Sequence, residues 1–262
     1  MKLFLKKCRI WAKQLGFNPY IFILFLKEYP VYRRDCKQLK EQLKETKDFP
    51  FGLIYPIFTD RSESVGTTSG AYFHQDLFVA RRIFENNPAR HIDIGSRVDG
   101  FVAHVAVFRE IEVFDIRKQE NNVKNVVFKQ ADLMNLPCDL LNSCESISSL
   151  HAIEHFGLGR YGDSIDADGH LKAIQNIYEM LKANGRFYFS VPIGSQRIEF
   201  NAHRVFSISY LLEVFRGKFE IEYFSYINDN EDLFEHIPLS KELIDNNCDC
   251  NFGCGIFELI KI

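Results

Sequence analysis

The sequence predicts an α/β fold in which helices cover both faces of a mostly parallel β-sheet. Between residues 89 and 115, an apolar run stops at Gly95, apolar residues then recur at helical spacing, and a second apolar run ends on Asp115. Strand-like and helix-like segments continue to alternate after Asp115. With 262 residues, 46% of them hydrophobic, the chain suffices for one large domain, or for one domain with an extension.

The N-terminal segment is predicted to be helical. Over residues 1–47, apolar and basic side chains interleave at the spacing of two helices, with Asn18-Pro19 as the break. Their basic and aromatic face could lie on a membrane surface or contact a partner, or it could be the solvated face of a cap packed on the main domain. We therefore assign residues 1–58 to an N-terminal helical extension with its linker, and residues 59–262 to the α/β domain.

The elements of the α/β domain are predicted in chain order. Polar residues 60–70 indicate a mobile loop, which is either a lid over a site or a linker. Asn184-Gly185 is expected to end one helix as a left-handed C-cap, and Ser207 is expected to cap the start of another. The predicted helices cover residues 72–84, 169–182 and 207–215, and the strands that follow the first cover residues 111–114, 123–128, 142–150, 186–191, 219–226 and 256–262.

Charge and cysteine content argue against several classes of protein. With 32 basic and 35 acidic side chains, the net charge is only -3, which argues against nucleic-acid binding. The seven cysteines are an odd number and are scattered, which is typical of reduced thiols in the cytoplasm. The longest apolar run near the N-terminus, residues 21–26, is too short for a signal-peptide core or a membrane span.

The acid that ends the second strand is the first functional signal. In a doubly wound sheet, the loop after the first strand lies at the topological switch point, and an acid ending the second strand can reach a ribose placed there. Asp115 therefore predicts a nucleoside-containing cofactor. The first loop has Gly95 and Gly100 but lacks the three-glycine dinucleotide fingerprint, which argues against an NAD-linked enzyme.

Several longer motifs carry a resemblance to known families. The segments LHAIEHF and HLKAIQNIYEMLKANGRFYFSVP resemble the class I S-adenosylmethionine-dependent methyltransferases. More narrowly, YFHQDL, HIDIGSRVDGF, LHAIEHFGLGRYGDSID and FNAHRVFS resemble the domain of unknown function 268 family, over about residues 70–232. The resemblance implies a Rossmann-like, seven-stranded sheet with an antiparallel last strand. It also implies S-adenosyl-L-methionine at the carboxyl ends of strands one to four, and a setting in bacterial surface-polysaccharide or related glycan biosynthesis.

The cofactor-binding residues are predicted from what each part of S-adenosylmethionine needs. Asp115 suits the ribose hydroxyls, Asp132 the adenine edge, and Asp93 with Gly95 the sulfonium; Asp115 and Asp132 could instead cap the turns that follow them. Arg97 stands where the class usually has a glycine. It pairs with the cofactor carboxylate or an acidic substrate, or it turns outward to solvent. The full predicted set is His74, Asp93, Gly95, Ser96, Arg97, Asp115, Ile116, Asp132, Leu133 and Leu150.

Methyl transfer to a hydroxyl group needs an aligned acceptor and a base that takes its proton, for which histidine is the natural residue. For each histidine, a structural hydrogen-bonding role is the alternative. The residues around the ends of the fourth and fifth strands supply the candidates. The predicted catalytic residues are His155, His151 and Glu154, and the predicted substrate-binding residues are Tyr161, Asp163, His203 and Arg204.

A metal site is not predicted. The spacing of His151, Glu154 and His155 is similar to an inverted zinc-protease motif, which requires one helix face. Phe156-Gly157 follows at once and would break that helix. The three C-terminal cysteines, Cys248, Cys250 and Cys254, are irregularly spaced and have no close fourth ligand.

We therefore expect an S-adenosylmethionine-dependent methyltransferase that acts on a hydroxyl of a small, carbohydrate-related or glycan acceptor in the cytoplasm. The alternative, from another class, is a catalytically silent methyltransferase-like module that binds a partner in a glycan-assembly system. In that case the N-terminal helices would supply a peripheral membrane contact. The sequence makes no prediction for the oligomeric state.

Overall fold

The computed structural model describes residues 16, 18–44, 49–62, 68, 70–120, 122–135 and 140–262. The chain forms two compact units, Met1–Thr67 and Thr68–Ile262. The first of the two predicted N-terminal helices, and most of the predicted loop over residues 60–70, lie outside the described residues.

The first unit is built around one long helix, α1 (Pro19–Gln42). The side chain of Asn18 caps its start by accepting a hydrogen bond from the backbone N–H of Tyr20 at 3.1 Å, and Pro19 takes a position where no donor is lost. The apolar residues of its first turns are largely exposed: Tyr20, Ile21, Phe22, Ile23, Phe25 and Leu26. Among the described residues, no helix is long and apolar enough to cross a membrane.

The second unit contains one large sheet. Its strands are β1 (His91–Ile94), β2 (Ile111–Asp115), β3 (Val126–Gln130), β4 (Cys144–Leu150), β5 (Leu181–Ile193), β8 (Phe219–Ile227), β9 (Leu233–Phe234) and β10 (Gly253–Lys261). A separate hairpin pairs β6 (Arg197–Glu199) with β7 (His203–Val205).

The order of the strands confirms the predicted fold class. The sheet runs β3-β2-β1-β4-β5-β10-β8-β9, and β10 pairs antiparallel with both of its neighbours. β1, β2, β3, β4 and β5 pair in parallel. The sheet is therefore mostly parallel with an antiparallel last strand, and the two-residue strand β9 extends the predicted seven strands at one edge.

Helices cover both faces of the sheet. They are α2 (Ala71–Asn86), α3 (Ala103–Ala106), α4 (Gly169–Met180), α5 (Ile208–Phe215) and α6 (Lys241–Asn246), and a π-helical turn, Val98–Val102, leads into α3. As predicted, Ser207 caps α5, with its side chain accepting from the backbone N–H of Tyr210.

The predicted end of α4 at Asn184-Gly185 is wrong. The helix ends at Met180, because the backbone is already extended at Leu181, where β5 begins. The carbonyls of Glu179 and Met180 then accept hydrogen bonds from the backbone N–H groups of Asn142 and Ser143. Asn184 does take a left-handed φ of 59°, but within β5.

Two hydrophobic clusters form the core, and the alternation of side chains along the strands separates them. Phe187 and Phe189 of β5 belong to the cluster that contains Ile174 of α4, and Tyr188 belongs to the cluster that contains Phe78 of α2. Each such aromatic or aliphatic side chain contributes on the order of 2 kcal/mol when fully buried. Both faces of the sheet are thus stabilised by burial, and the strand ends remain available for a site.

Candidate functional site

A cleft opens at the carboxyl ends of the parallel strands. It holds about 480 Å³ of space, counting the part open to solvent. Because parallel strands end at the same edge of the sheet, the loops after β1, β2, β3 and β4 all contribute to it. The lining residues are Gly95, Phe114, Asp115, Ile116, Arg117, Ala131, Asp132, Leu133, Met134, Ala152, His155, Phe156, Tyr161 and Asp163.

Asp115 ends β2 inside this cleft and is paired with Arg117. Its Oδ1 accepts from the backbone N–H of Arg117 at 2.8 Å and from Nε at 2.9 Å, and Oδ2 accepts from Nη2 at 2.6 Å. The side chain of Asp115 is 11% exposed, whereas that of Arg117 is 51% exposed. The carboxylate is therefore fixed at the cleft, and it also caps the turn that follows the strand.

The loop after β3 forms one wall of the cleft. Leu133 and Met134 are buried apolar residues at this wall. The carboxylate of Asp132 accepts from the backbone N–H of Met134 at 2.9 Å and from the side-chain amide of Asn135 at 2.8 Å. Asp132 therefore has the turn-capping geometry that was the alternative for it, while it still lines the cleft.

Asp93 and Ser96 hold the loop after β1 in place through buried hydrogen bonds. Asp93 is fully buried and accepts hydrogen bonds from the N–H and hydroxyl of Ser96 and from the hydroxyl of Ser148. The hydroxyl oxygen of Ser96 in turn accepts from the backbone N–H of Leu150 at 3.0 Å. Burial raises the pKa of Asp93 to about 7. These residues connect β1 to β4, and they do not line the cleft.

Gly95 is required by the geometry of the first loop. Its φ is +70°, and a Cβ added there would lie 3.0 Å from the Cβ of Ala152. A left-handed conformation and a close neighbour together favour glycine. The backbone of the loop thereby comes to the cleft surface without a side chain in the way.

Arg97 turns away from the cleft. Its Nη2 pairs with Oδ2 of Asp99 at 2.9 Å, its guanidinium lies 5.4 Å from the ring centroid of Tyr72, and its side chain is 56% exposed. It is not among the residues that line the cleft. The side chain of Arg97 thus lies outside the cleft lining and is paired with Asp99, and its role toward a cofactor or a substrate stays a prediction.

His151 joins a buried network under the first loop. Its Nδ1 lies 2.8 Å from Oε1 of Gln75, a residue of α2 that is 1% exposed. The hydroxyl of Ser190 donates to the same oxygen at 2.6 Å, and the amide nitrogen of Gln75 donates to Asp76 at 3.0 Å. Burial lowers the pKa of His151 to about 3, so the ring is neutral near pH 7. Because a glutamine carbonyl only accepts, Nδ1 carries the proton.

His155 lines the cleft as a neutral ring. Its Nδ1 lies 2.6 Å from the carbonyl oxygen of Ala202, which assigns the proton to Nδ1 and leaves a lone pair on Nε2. Burial, together with the nearby charge of Arg160, lowers the pKa of His155 to about 4. The ring of His155 is therefore neutral near pH 7, and its Nε2 atom is able to accept a proton.

Glu154 is buried next to His155. Its Oε1 lies 3.6 Å from Nε2 of His155, and its Oε2 has no hydrogen-bond partner within the described part of the chain. Burial raises the pKa of Glu154 to about 8, so the carboxyl group is protonated near neutral pH. A neutral acid and a neutral imidazole therefore lie side by side.

The loop after β4 is held by Asp163. Its carboxylate accepts from the backbone N–H groups of Gly157, Gly159 and Tyr161 at distances between 2.8 and 3.1 Å. Tyr161 is left at the cleft, where its ring packs edge-on against the ring of His155 with centroids 5.5 Å apart.

Arg204, predicted to bind substrate, is not among the residues that line the cleft. It is 5% exposed, and its guanidinium donates to the carbonyls of Phe156 at 2.6 Å and Ala167 at 3.2 Å. Because its guanidinium N–H groups donate to backbone carbonyls of the loop after β4, Arg204 stabilises the conformation of that loop.

Two of the predicted histidines also lie outside the cleft lining. The ring of His203 packs on Phe252 with centroids 4.8 Å apart, and its Nε2 lies 3.4 Å from a carboxylate oxygen of Glu199. His74 packs against the ring of Phe73 on α2. Neither histidine is among the residues that line the cleft.

The structure thus brings together part of the predicted site. The cleft is lined by Gly95, Asp115, Ile116, Asp132, Leu133, His155, Tyr161 and Asp163, and nine further predicted residues lie behind or beside it: His74, Asp93, Ser96, Arg97, Leu150, His151, Glu154, His203 and Arg204. Sequence reasoning missed the lining residues Phe114, Arg117, Met134, Ala152 and Phe156. For Arg117, its position two residues after the strand-ending acid was an available signal.

A metal-binding arrangement is not found within the described residues, where no group of three or more His, Cys, Asp or Glu side chains could hold an ion. The H-x-x-E-H segment contains only a short 3-10 turn, Ile153–His155. Its histidine and glutamate side chains therefore do not share one face of an α-helix. Cys248, Cys250 and Cys254 are free, buried thiols whose pKa values are raised by burial.

The sequence resembles a known protein family. The model of the family described as "Caenorhabditis protein of unknown function, DUF268" matches residues 105–247, more than half of the chain. No curated protein matches the sequence.

Solved structures share the fold at low sequence identity. The 1,6-didemethyltoxoflavin-N1-methyltransferase of Burkholderia thailandensis, solved with 1,6-didemethyltoxoflavin and S-adenosylhomocysteine, is 14% identical with a TM-score of 0.51, over 71% of this chain and 78% of that chain. The (4+2)-cyclase SpnF is 16% identical with a TM-score of 0.50, over 72% and 80%. The N-methyltransferase NodS of Bradyrhizobium japonicum WM9 is 10% identical with a TM-score of 0.50, over 74% and 99%. The Rossmann-like class I methyltransferase fold is confirmed.

Proposed function

The chain belongs to the DUF268 family and has the class I methyltransferase fold, and on this basis we propose that it is an S-adenosylmethionine-dependent methyltransferase. The observation that carries the proposal is the position of the Asp115 carboxylate, at the end of β2 in a cleft between the glycine turn after β1 and the apolar wall after β3. S-adenosylmethionine supplies an electrophilic methyl group on a sulfonium.

The cleft residues fit the parts of this cofactor. Asp115 has two oxygens at the cleft and can accept hydrogen bonds from both hydroxyls of a ribose in exchange for those from Arg117. Phe114, Leu133 and Met134 offer apolar surface to an adenine ring. Gly95 lets the loop backbone approach a ligand closely, because no Cβ intervenes.

His155 is proposed as the base that removes the acceptor's proton. Its Nε2 has a lone pair, and Nδ1 is held by the carbonyl of Ala202, which orients the ring. When Nε2 takes up the acceptor's proton, the imidazolium that forms lies 3.6 Å from Oε1 of the neighbouring Glu154 carboxyl, whose oxygen dipole can stabilise the positive charge. His151 is the second candidate, with Gln75 fixing its tautomer.

A small, carbohydrate-related hydroxyl compound is proposed as the acceptor, in surface-polysaccharide or glycan biosynthesis. The resemblance of the sequence motifs supports this proposal, together with the polar and aromatic mouth of the cleft at Tyr161 and Asp163. The side chain of Tyr161, beside the fixed base, can contact a bound sugar while one of its hydroxyl groups is deprotonated.

Isothermal titration with S-adenosylmethionine and S-adenosylhomocysteine tests the cofactor assignment. The wild-type protein is expected to bind both. Asp115→Ala should weaken that binding by about ten-fold or more, because a charge-assisted pair of hydrogen bonds is lost, whereas His155→Ala should leave it nearly unchanged. Asp245→Ala, which alters an exposed aspartate of α6, serves as the matched control.

No binding of either compound at millimolar concentration would refute the cofactor assignment. A larger effect of His155→Ala than of Asp115→Ala would mean that the two roles have been assigned the wrong way round.

A second candidate is a catalytically silent module that contacts a membrane surface. The specific observation is the exposed apolar start of α1, where Phe22 is 53% and Ile23 is 62% exposed, followed by the basic residues Lys27, Arg33 and Arg34. Flotation with vesicles containing anionic lipid is expected to recover the wild-type chain. The double substitution Phe22→Ser, Ile23→Ser should reduce the recovery. Flotation without any adenosylhomocysteine binding would favour the module over the enzyme.

A further inference from the structure

Two guanidinium groups lie over one tyrosine ring at the mouth of the cleft. The Cζ of Arg117 is 4.4 Å from the ring centroid of Tyr161, and the Cζ of Arg160 is 5.2 Å from it. The ring of His155, the proposed base, packs edge-on against the same tyrosine. The two cations are therefore held next to the place where an acceptor must lie for its proton to reach His155.

The two arginines differ in their partners. Arg117 is neutralised by Asp115, with Nη2 2.6 Å from Oδ2. Arg160 donates from Nη1 to the carbonyl of Ala202 at 2.8 Å, and no carboxylate pairs with it within the parts of the chain that the structure describes. A carbonyl oxygen has no net charge, so no ion pair among the described residues neutralises Arg160.

The two acids beside the mouth, Asp163 and Glu154, form no ion pair with Arg160. Asp163 directs its carboxylate at backbone N–H groups of its own loop, and Glu154 is buried and protonated near neutral pH. If ribose hydroxyls take over the carboxylate of Asp115, the charge of Arg117 loses part of its partner as well. A bound cofactor would therefore leave this side of the cleft more positive than it is in the structure.

We propose that Arg160, assisted by Arg117, binds an anionic group of the acceptor, a carboxylate or a phosphate, at the ring of Tyr161. A guanidinium presents paired N–H donors that match the oxygens of both groups, and it binds them with charge-assisted hydrogen bonds. The anion would anchor one end of the acceptor, and the hydroxyl to be methylated would lie toward His155. This inference rests on the proposed methyltransferase function and narrows its acceptor to an acidic compound.

The test uses three sugar probes with the full-length protein: glucose 6-phosphate, glucuronate and uncharged glucose. Each is titrated with and without saturating S-adenosylhomocysteine, and binding is followed by the ¹⁵N–¹H signals of arginine side chains. The Arg160 signal is assigned by its loss in Arg160→Gln. Arg160→Lys tests partial retention of the charge, and Arg216→Gln, which removes an exposed arginine paired with Glu213, is the matched control.

At least one of the two acidic probes should shift the Arg160 signal and bind more tightly than glucose. Tighter binding of glucose 6-phosphate would identify the anionic group of the acceptor as a phosphate, and tighter binding of glucuronate would identify it as a carboxylate. Arg160→Gln should weaken that binding by about ten-fold or more and Arg160→Lys by less, while adenosylhomocysteine binding stays unchanged. A thermal unfolding midpoint close to that of wild type shows that each variant is folded. The Arg160 side-chain signal of the wild-type protein reports on probe binding even if a variant does not fold.

Three outcomes would overturn the proposal. Acidic probes could bind no better than glucose, their binding could survive Arg160→Gln undiminished, or Arg160→Gln could weaken adenosylhomocysteine binding equally, which would assign Arg160 to the cofactor's own carboxylate. A wild-type protein that fails to bind adenosylhomocysteine would instead refute the methyltransferase proposal, and the titrations without it would still report on the anion site.

Discussion

The guanidinium of Arg117 donates to both carboxylate oxygens of Asp115, with Nε 2.9 Å from Oδ1 and Nη2 2.6 Å from Oδ2. The proposed function requires the same two oxygens for ribose hydroxyls. In the structure, a neighbouring side chain thus makes the contacts that a nucleoside would make. Cofactor binding should therefore compete with an ion pair that is internal to the protein.

Arg117→Gln is expected to strengthen adenosylhomocysteine binding about two- to five-fold. The ion pair is half exposed on the arginine side, and pairs of this kind contribute up to about 1 kcal/mol, which is the free energy that the ribose no longer has to displace. Isothermal titration measures the change. Arg216→Gln breaks a comparable exposed pair far along the sequence and should have no effect; weaker binding by Arg117→Gln would mean that the arginine contacts the cofactor directly.

Gly95→Ala should impair both folding and cofactor binding. The φ of +70° costs an alanine about 1 kcal/mol, and the new Cβ meets the Cβ of Ala152 at 3.0 Å. Gly217→Ala is the control, because Gly217 has the same φ of +70° but no atom within 4 Å of an added Cβ. In chemical denaturation both variants should lose stability, and only Gly95→Ala should also lose affinity for adenosylhomocysteine. Equal behaviour of the two variants would contradict a close approach at Gly95.

Gln75→Met should destabilise the protein by about 1 to 3 kcal/mol. The substitution keeps the approximate volume but leaves the N–H of His151 and the hydroxyl of Ser190 without their buried acceptor. The free energy of unfolding, from urea titration, is the measurement. Gln175→Met, which removes only a bond to Glu179 on α4, is expected to cost much less. A cost as small as that of the control would show that water replaces the lost acceptor.

Glu154→Gln should flatten the dependence of stability on pH above neutrality. The folded pKa of about 8 lies above the ordinary value of 4.5, so burial of the neutral carboxyl stabilises the fold fully below pH 4.5, and this contribution is lost as pH rises through 8. His151 and His155 have lowered pKa values of about 3 and 4, so their contributions are lost only at acid pH.

Between pH 6.5 and 8.5, the free energy of unfolding of the wild type should therefore fall by roughly 1 to 2 kcal/mol more than that of Glu154→Gln. Urea titrations at a series of pH values provide the comparison. Glu242→Gln, at an exposed position of α6, should follow the wild type. Parallel curves for wild type and Glu154→Gln would show that this carboxyl is ionised in the folded state.

Some of the site could be predicted because it depends on short-range patterns. Gly95 and Asp115 follow directly from where two apolar runs end, and both line the cleft. Arg204 could not be placed in this way. It follows a loop after the fifth strand, as a substrate-binding residue would, yet its guanidinium is buried under the loop after β4. The direction in which a side chain points from an irregular loop depends on what packs against it.

The sequence by itself determined the order of the main strands and helices, the glycine turn after β1 and the acid at the end of β2, since these follow from apolar periodicity and backbone preferences over a few residues. Only the tertiary structure decided which distant side chains meet. The Oε1 atom of Gln75 on α2 receives hydrogen bonds from His151 after β4 and Ser190 on β5, partners that are 76 and 115 positions away along the chain. Such contacts depend on the register between strands and on the packing of a helix against the sheet, and no local pattern in the sequence specifies either.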